Sequence, residues 1–309
     1  MEDLSRNVSL LELLSVPGQN SVTVQEAIEK GADVNETSSR GFTPLMFAAI
    51  LNDDPGVVEV LLENGANVNG ETHDGMTALM WSLLTETYDH TAPNLPEVLK
   101  REENRRNAAM KLICHDADVN AVCYSSHREK WTPLLFATLD PDRNASLISA
   151  LLAAGASVNV RTAEGVTPLI HTAAYGRSSD VVRELISAGA DVNAGSRQEG
   201  RKGWTPLFYA LASPYRNLGI VRELVSSRAE VDILMPNGTT PLFLAVTFED
   251  DPAFAELLLD AGADPSRRDR EGNSPLDCAR AKNYVRIANL LLKAENIRKN
   301  KAMKIALTY

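Results

Sequence analysis

The hydrophobic positions of this chain recur at the spacing of short amphipathic helices. Leu185 and Ile186 follow Val182 by three and four positions, so these residues mark one apolar face of a helix. Adjacent leucines recur in other segments, at residues 61–62, 151–152, 258–259 and 291–292. A helix this short cannot bury its apolar face alone, so the pattern predicts short helices stacked against one another.

Capping and turn residues divide residues 167–193 into two helices. Thr167 can cap the first helix through its hydroxyl oxygen, and Pro168 suits a first helical turn because its missing N–H has no partner there. Gly176 ends this helix, and Gly189 ends the second one in a left-handed conformation without steric strain. The segment therefore predicts a helix, a tight link, a second helix and a short exit.

The same unit recurs along the chain. A Thr-Pro-Leu motif, or a close variant, begins at residues 43, 77, 132, 167, 205, 240 and 274. A Gly-Ala-Asp-Val-Asn exit, or a variant of it, occurs at residues 31–35, 65–69, 116–120, 155–159, 189–193, 228–232 and 262–266. Successive Thr-Pro-Leu-type motifs start 34 to 38 residues apart in five of the six intervals. With these motifs and this period, the chain resembles the ankyrin repeat family over about residues 24–294.

The resemblance implies an all-α solenoid of helix-turn-helix units with protruding turn or hairpin loops, curved so that one binding face is concave. Apolar residues at the start predict helices over residues 4–16 and 22–30, which form a degenerate N-terminal capping repeat over residues 1–41. The following repeats are expected over residues 42–75, 76–130, 131–165, 166–203, 204–238 and 239–272, with a C-terminal capping repeat and basic tail helix over residues 273–309.

The chain departs from the family pattern at the position after Thr-Pro-Leu, where ankyrin repeats usually carry histidine. The residues found there instead are Met46, Met80, Leu135, Ile170, Phe208, Phe243 and Asp277. We expect apolar packing to replace most of the hydrogen bonds that the histidine makes in the family.

An insertion lengthens the repeat that begins near Met76. The step from Thr77 to the next Thr-Pro-Leu motif is 55 residues, and the excess falls within residues 85–104, with the helix resuming at Arg105. Insertions in repeat proteins form loops on one face, often a binding face, although long surface loops are also tolerated without a function.

The end of the chain mixes apolar and basic residues. After Leu292, this alternation predicts a final helix over residues 296–309, which either covers the last repeat or docks elsewhere as a basic peptide. Residues 266–309 hold eleven basic and four acidic residues, whereas the remainder holds 20 and 37. An acidic partner at the C-terminal end is therefore one alternative, and simple solubility of the tail is the other.

Charge, hydrophobicity and cysteine content exclude several classes of protein. A net charge of −10 argues against non-specific nucleic-acid binding, so nucleic acid is not an expected partner. No apolar run is long enough to span a membrane. The acidic start lacks the features of a signal peptide, and three cysteines form no disulfide framework, so we expect a cytoplasmic protein.

The resemblance also indicates where a partner would bind. In ankyrin repeats, the residue before Thr-Pro-Leu and the two residues that end the first helix face the concave side. These positions are unusually apolar here, and aromatic residues commonly anchor interfaces. The candidate partner-binding residues are Phe42, Leu51, Met76, Trp131, Leu139, Tyr175, Trp204 and Phe248. The alternative is that the wide turn tips at residues 123–130 and 196–202 fold over these rings and bury them.

Catalytic chemistry has little support in the sequence. There is no glycine-rich phosphate loop, nucleophile elbow or His-Glu-x-x-His helix. Cys114, His115, Cys123 and His127 are possible zinc ligands, but their spacing fits no standard zinc site, so we expect neither a metal nor a cofactor.

The sequence therefore predicts a non-catalytic, monomeric scaffold or adaptor that binds a protein partner through its concave face. One alternative is an adaptor or secreted effector that binds through residues 85–104 or the basic C-terminal end. A second alternative is a metal-binding or enzymatic protein. A third is nucleic-acid binding confined to the basic C-terminal end, which would depend strongly on salt.

Overall fold

The computed structural model describes residues 8–16, 18–51, 54–84, 95–125, 128–248 and 250–306, with the backbone alone for residues 95–99, 301–302 and 304–306. The chain divides into two compact units, Met1–Ala163 (unit 1) and Glu164–Tyr309 (unit 2). Within the described ranges the regular structure is helical, and extended pairing is limited to the isolated bridges Glu71–Thr77 and Cys123–Trp131. The predicted all-α ankyrin-type fold is confirmed.

Unit 1 consists of four helix pairs within its described residues. The helices are α1 (Leu10–Leu14), α2 (Ser21–Glu29), α3 (Pro44–Leu51), α4 (Gly56–Glu63), α5 (Ala78–Leu83), α6 (Leu95–Cys114), α7 (Pro133–Ala137) and α8 (Ala145–Ala153). The first helices of the pairs, α1, α3, α5 and α7, pack side by side in one row. The second helices, α2, α4, α6 and α8, form the other row, so the core lies between two helical layers.

Unit 2 repeats this arrangement in the part that the structure describes. Its helices are α9 (Pro168–Tyr175), α10 (Asp180–Ser187), α11 (Pro206–Ala212), α12 (Leu218–Ser226), α13 (Pro241–Ala245), α14 (Ala253–Asp260), α15 (Pro275–Ala281) and α16 (Val285–Ala306). The first helices α9, α11, α13 and α15 form one row, and α10, α12, α14 and α16 form the other.

The Thr-Pro-Leu motifs start the first helices, but not all of them cap in the same way. In five motifs the hydroxyl of the threonine or serine accepts a hydrogen bond from the backbone N–H three residues later, at Thr43, Thr77, Thr167, Thr240 and Ser274. The hydroxyls of Thr132 and Thr205 are buried and find no hydrogen-bond partner among the described residues. These two threonines directly follow Trp131 and Trp204.

The exit motifs join successive repeats through their asparagine side chains. The amide nitrogen of Asn35 donates to the carbonyl of Gly65 at 3.0 Å, and its amide oxygen accepts from the N–H of Asn67 at 2.7 Å. Asn120 makes the same two bonds, to Gly155 and Ser157. The recurring asparagine is therefore a structural bridge between neighbouring exits.

Apolar packing replaces the family's histidine at most motifs, as the sequence predicts. The side chains at this position of the first five Thr-Pro-Leu-type motifs are buried, with exposed fractions of at most 1%, at Met46, Met80, Leu135, Ile170 and Phe208. Phe243 is half-buried. Asp277 instead forms a capping box with Ser274, in which each side chain bonds the backbone N–H of the other residue.

Three predicted helix boundaries need correction. The helix that we expected to resume at Arg105 begins at Leu95, so the second half of the 85–104 insertion belongs to α6, and residues 85–94 lie outside the described residues. In the described residues after Leu292 there is no separate tail helix: residues 285–306 contain neither proline nor glycine, and α16 continues to Ala306. Residues 307–309 of the predicted tail helix lie outside the described residues. The first helix, predicted over residues 4–16, spans Leu10–Leu14 and is capped by the side chain of Ser9, whereas residues 4–7 lie outside the described residues.

Candidate functional site

Tight hairpins connect each exit to the next Thr-Pro-Leu motif. In unit 1, the backbone N–H of Ser38 donates to the carbonyl of Phe42 at 2.9 Å. In unit 2, Met235 donates to Thr239 in the same way at 2.9 Å. At six of the seven motifs, the residue before Thr-Pro-Leu thus closes a hairpin, which places it beside the start of a first helix.

Two of these hairpins are wider than the others, and each is closed by a tryptophan. In unit 1 the N–H of Cys123 donates to the carbonyl of Trp131 at 2.8 Å. In unit 2 the N–H of Ser196 donates to the carbonyl of Trp204 at 2.9 Å. Closure across eight residues rather than four leaves room at the tip for additional side chains.

Trp131 lies in an aromatic cluster that an arginine covers. Its ring centroid is 5.2 Å from that of the buried Phe136 on α7. The guanidinium carbon of Arg128, at the hairpin tip, lies 5.6 Å from the Trp131 ring centroid and 5.3 Å from that of Phe136. Trp131 remains half-buried, so the wide tip covers the ring in part and leaves part of it in contact with solvent.

Trp204 occupies the corresponding position in unit 2, with the same cover. Its ring centroid lies 5.4 Å from that of Tyr209 and 5.8 Å from that of Phe208, both on α11. The guanidinium carbon of Arg201 lies 5.2 Å from the Trp204 ring centroid and 5.4 Å from that of Tyr209. Trp204 is also half-buried, and Arg201 is exposed.

Trp81, which is not among the predicted contact residues, packs against the candidate residue Phe42 in unit 1. The ring centroid of Phe42 lies 5.2 Å from that of Trp81 on α5 and 5.7 Å from that of Phe47 on α3. All three rings are half-buried. Trp81 follows Thr77 by four positions, as Phe136 follows Thr132. An aromatic residue at this helical position was the signal that could have found it.

The remaining candidate residues differ in exposure. Leu51, Tyr175 and Phe248 expose 41%, 51% and 48% of their surface, and Leu139 is half-buried. Met76 is only 4% exposed, so a partner could not contact much of its side chain. Seven of the eight candidates are thus at least partly accessible.

An arginine supports the exposed ring of Phe248 from beneath. The guanidinium carbon of Arg216 lies 5.3 Å from the Phe248 ring centroid and 4.7 Å from that of Phe254. Its two terminal nitrogens are buried and have no hydrogen-bond partner among the described residues. The hydroxyl of Tyr284 donates to the carbonyl of Phe248 at 3.0 Å, which fixes the backbone below the ring.

A cleft of about 520 Å³ opens beside Trp204 in unit 2, and we call it the Trp204 cleft. Most of its walls are apolar side chains, contributed by Trp204, Phe208, Met235, Pro236, Phe243 and Leu244. The other lining residues are Gly200, Lys202, Asn237, Thr239 and Thr247. The cleft therefore runs from two hairpins onto the first helix α13.

Pro236 explains why the hairpins separate at this point. In four other hairpins, the second residue donates its backbone N–H to the preceding hairpin; examples are Arg197 to Glu164 at 2.7 Å and Arg270 to Asn237 at 3.0 Å. Pro236 stands at this position in its own hairpin and has no N–H to donate. The bond that would draw hairpin 235–239 towards hairpin 196–204 is therefore missing, and the Trp204 cleft occupies the gap.

Among the described residues, no group of three or more histidine, cysteine, aspartate or glutamate side chains is arranged to hold a metal ion. Of the four residues considered for zinc, Cys114 is exposed and Cys123 is buried, and His127 lies outside the described residues. Burial raises the pKa of the Cys123 thiol, which disfavours the thiolate that a metal would need.

Some charged residues of the two alternative surfaces make internal contacts. In the described half of the insertion, the buried Glu102 accepts a hydrogen bond from Arg143 at 2.8 Å. At the basic C-terminal end, Arg298 pairs with Asp264 at 3.0 Å and Arg268 with Asp277 at 3.1 Å. These pairs hold part of each segment against the neighbouring repeats.

Sequence comparison decides the family. A family model described as ankyrin repeats (three copies) matches residues 14–91, 101–196, 143–234, 194–269 and 211–302. The chain belongs to the ankyrin repeat family. Ankyrin repeats are generally protein-interaction modules, and none of the relatives described below is named as an enzyme. No described helix of this ankyrin repeat protein is long and apolar enough to cross a membrane.

Individual relatives agree with this family. Human neurogenic locus notch homolog protein 2 is 35% identical over 153 residues, which are 49% of this chain and 6% of that protein. Notch homolog protein 1 of Xenopus laevis is 33% identical over 155 residues, with 50% and 6% covered. The putative ankyrin repeat protein YahD of Escherichia coli (strain K12) is 31% identical over 153 residues, 48% of this chain and 72% of that protein. The match covers only a small part of the notch proteins.

Proposed function

We propose that this ankyrin repeat protein is a non-catalytic scaffold or adaptor that binds a partner protein through its hairpins and first helices. The observation that supports this most directly is the arginine-covered tryptophan that both units present. Arg128 lies over Trp131 and Arg201 over Trp204, with 5.6 Å and 5.2 Å between guanidinium carbon and ring centroid. Tryptophan and arginine are among the residues most often found at the energetic centres of interfaces.

The contact residues in this proposal are the accessible members of the candidate set. They are Phe42, Leu51, Trp131, Leu139, Tyr175, Trp204 and Phe248, to which Trp81 is added. They are attached to packed helices and hydrogen-bonded hairpins, so a partner meets side chains whose positions are already fixed. Such preorganisation lowers the ordering cost of binding.

The proposed site requires no metal or cofactor, because apolar contact and charge recognition account for binding without them. The protein acts as a monomer in the cytoplasm in this proposal. Its three cysteines remain free thiols in a reducing compartment.

The proposal is tested by comparing partner capture by three forms of the full chain. The immobilised wild type, the Trp131→Ala/Trp204→Ala variant and the Val22→Ala/Val285→Ala variant are exposed to the same lysate. Val22 and Val285 are 65% and 63% exposed and lie on the second helices α2 and α16, so they are a matched control with one substitution in each unit.

We expect the tryptophan variant to capture at least about tenfold less partner than the wild type, which is the effect of losing one interface hot spot. The valine variant should capture as much partner as the wild type. Circular dichroism of the three forms confirms that the helices are intact. A partner retained equally by all three forms would show that the tryptophans do not bind it.

A further inference from the structure

The Trp204 cleft has an unusual charge for this chain. The whole protein carries a net charge of −10, yet none of the residues that line the cleft is acidic. Lys202 lines it, and the exposed Arg201 lies over Trp204 at its edge. The cleft therefore combines an apolar floor with a cationic rim.

The two rim cations are available to a ligand. Within the described part of unit 2, neither Arg201 nor Lys202 forms an ion pair, and Glu199 of the same hairpin bonds neither of them. The carboxylate of Asp269, on the following hairpin, accepts from the N–H groups of Glu271 and Asn273. Neither rim cation is therefore held in an ion pair with a described carboxylate of unit 2.

A second cavity in unit 2 provides a contrast. It also measures about 520 Å³ and lies between α14 and α16, but Glu256 and Asp260 line it together with Lys293 and Arg298. A cavity lined by both acidic and basic side chains does not favour ligands of one charge over the other. The Trp204 cleft presents one sign only, so it favours a ligand with negative groups beside its apolar part.

We propose that the Trp204 cleft binds a peptide segment of the partner protein in which a large apolar side chain adjoins aspartate or glutamate. The apolar side chain enters the gap that Pro236 leaves between the hairpins and contacts Trp204 and Phe243. The neighbouring carboxylates pair with Arg201 and Lys202. This inference rests on the proposed function, and it adds the chemistry of the partner segment.

The test uses fluorescein-labelled ten-residue peptides and fluorescence anisotropy with the full chain. Each peptide has a central leucine, tryptophan or alanine that is flanked by aspartate and glutamate or by lysine. We expect the acidic peptides with leucine or tryptophan to bind. Replacing the central residue by alanine, or the flanks by lysine, should weaken binding at least about tenfold. A single-stranded oligonucleotide serves as a polyanion without an apolar side chain.

Charge reversal at the rim provides the decisive variants. Arg201→Glu/Lys202→Glu should lose the acidic peptides and gain the lysine-flanked ones. Arg222→Glu introduces glutamate at an exposed position of the second helix α12 and should change neither. Thr239→Trp, which fills the cleft without changing the charge, should abolish binding of the apolar acidic peptides.

Several outcomes would overturn the inference. They are equal binding of alanine-centred peptides, equal binding of the oligonucleotide, no binding by any acidic apolar peptide, and no effect of the rim reversal. If partner capture still depends on Trp131 and Trp204 in any of these cases, the proposed function stands and only the partner chemistry is wrong. If capture is also insensitive to the tryptophans, both proposals are wrong.

Discussion

Arg201 lies over the indole ring of Trp204, with its guanidinium carbon 5.2 Å from the ring centroid, and it comes from the tip of the hairpin that Trp204 closes. The backbone N–H of Trp204 donates to the carbonyl of Arg201 at 3.0 Å, which holds the two residues in this arrangement. The arginine therefore shields one part of the ring and leaves a charged group at the edge of the Trp204 cleft.

Removing this arginine should expose the indole. In a Trp81→Phe/Trp131→Phe background, Trp204 is the only tryptophan, and we expect Arg201→Ala to increase quenching of its fluorescence by acrylamide. Loss of the cation–π contact should also lower the free energy of unfolding by about 0.5–1 kcal/mol. Arg222→Ala in the same background is the control, and equal quenching in both variants would contradict the contact.

The two kinds of Thr-Pro-Leu motif predict a difference in stability. The hydroxyl of Thr167 accepts from the N–H of Ile170 at 3.2 Å, whereas the hydroxyl of Thr205 is buried without a partner in the described structure. Thr167→Val should lower the free energy of unfolding by about 1 kcal/mol, because it removes a helix cap. Thr205→Val should cause no loss, since it removes an unsatisfied hydroxyl. Urea unfolding measures both, and equal losses would contradict this assignment.

Alanine substitutions at two glycines of unit 2 distinguish the cost of backbone strain from the cost of a steric clash. Gly203 and Gly238 both have a φ of 83° and precede the residue that closes a hairpin. A Cβ at Gly238 would lie 2.9 Å from the nitrogen of Arg270, whereas a Cβ at Gly203 would meet nothing within 4 Å.

Both alanine substitutions should therefore cost about 1–2 kcal/mol of strain. Gly238→Ala should cost a further ~1–3 kcal/mol because the next hairpin must move. The midpoints of urea unfolding compare the two variants. Equal destabilisation would show that hairpin 269–273 does not restrict Gly238.

Asp54 predicts a pH dependence of stability in unit 1. Burial raises the pKa of this carboxyl, but the hydrogen bonds that it accepts from the N–H groups of Ser21 and Gly56, each at 2.8 Å, outweigh burial and lower the pKa overall. The carboxylate therefore adds stability above the unfolded pKa of about 3.9. This contribution is lost as the pH falls through the lower pKa of the folded state.

Asp54→Asn should accordingly lower the free energy of unfolding at pH 7 by about 1 kcal/mol, since the charged acceptor at the start of α2 is lost. The difference from the wild type should shrink as the pH falls below about 4. Urea unfolding at pH 7, 5, 4 and 3.5 measures this difference. A difference that stays constant over this range would exclude Asp54 as the titrating group.

The repeats were predictable because each one carries its own capping and turn residues. Thr167, Pro168 and Gly189 determine where helices start and stop through short-range sterics and hydrogen bonds, and the structure confirms α9 and α10 between them. The start of α6 was not predictable from the same signals. An insertion in a repeat is expected to form a loop, but Pro96 is tolerated in the first turn of a helix that starts at Leu95.

The candidate site was predictable in part. The position of Trp204 before a Thr-Pro-Leu motif indicated its side of the repeat, but its cover by Arg201 depends on how the tip of the hairpin folds. The Trp204 cleft depends on a missing hydrogen bond between two hairpins. The sequence shows that Pro236 has no N–H to donate. Only the structure shows that Arg197 and Arg270, at the same position of neighbouring hairpins, use this N–H to bond the preceding hairpin.

The most direct test of the central claim is amide hydrogen exchange of the full chain, with and without the purified partner. The account predicts that the partner slows exchange in the hairpins closed by Trp131 and Trp204, in hairpin 235–239 and in the first helices α7, α11 and α13, and leaves the second helices α8, α10, α12 and α14 unchanged. Protection confined to the second helices, to residues 85–104 or to the basic end of α16 would contradict it.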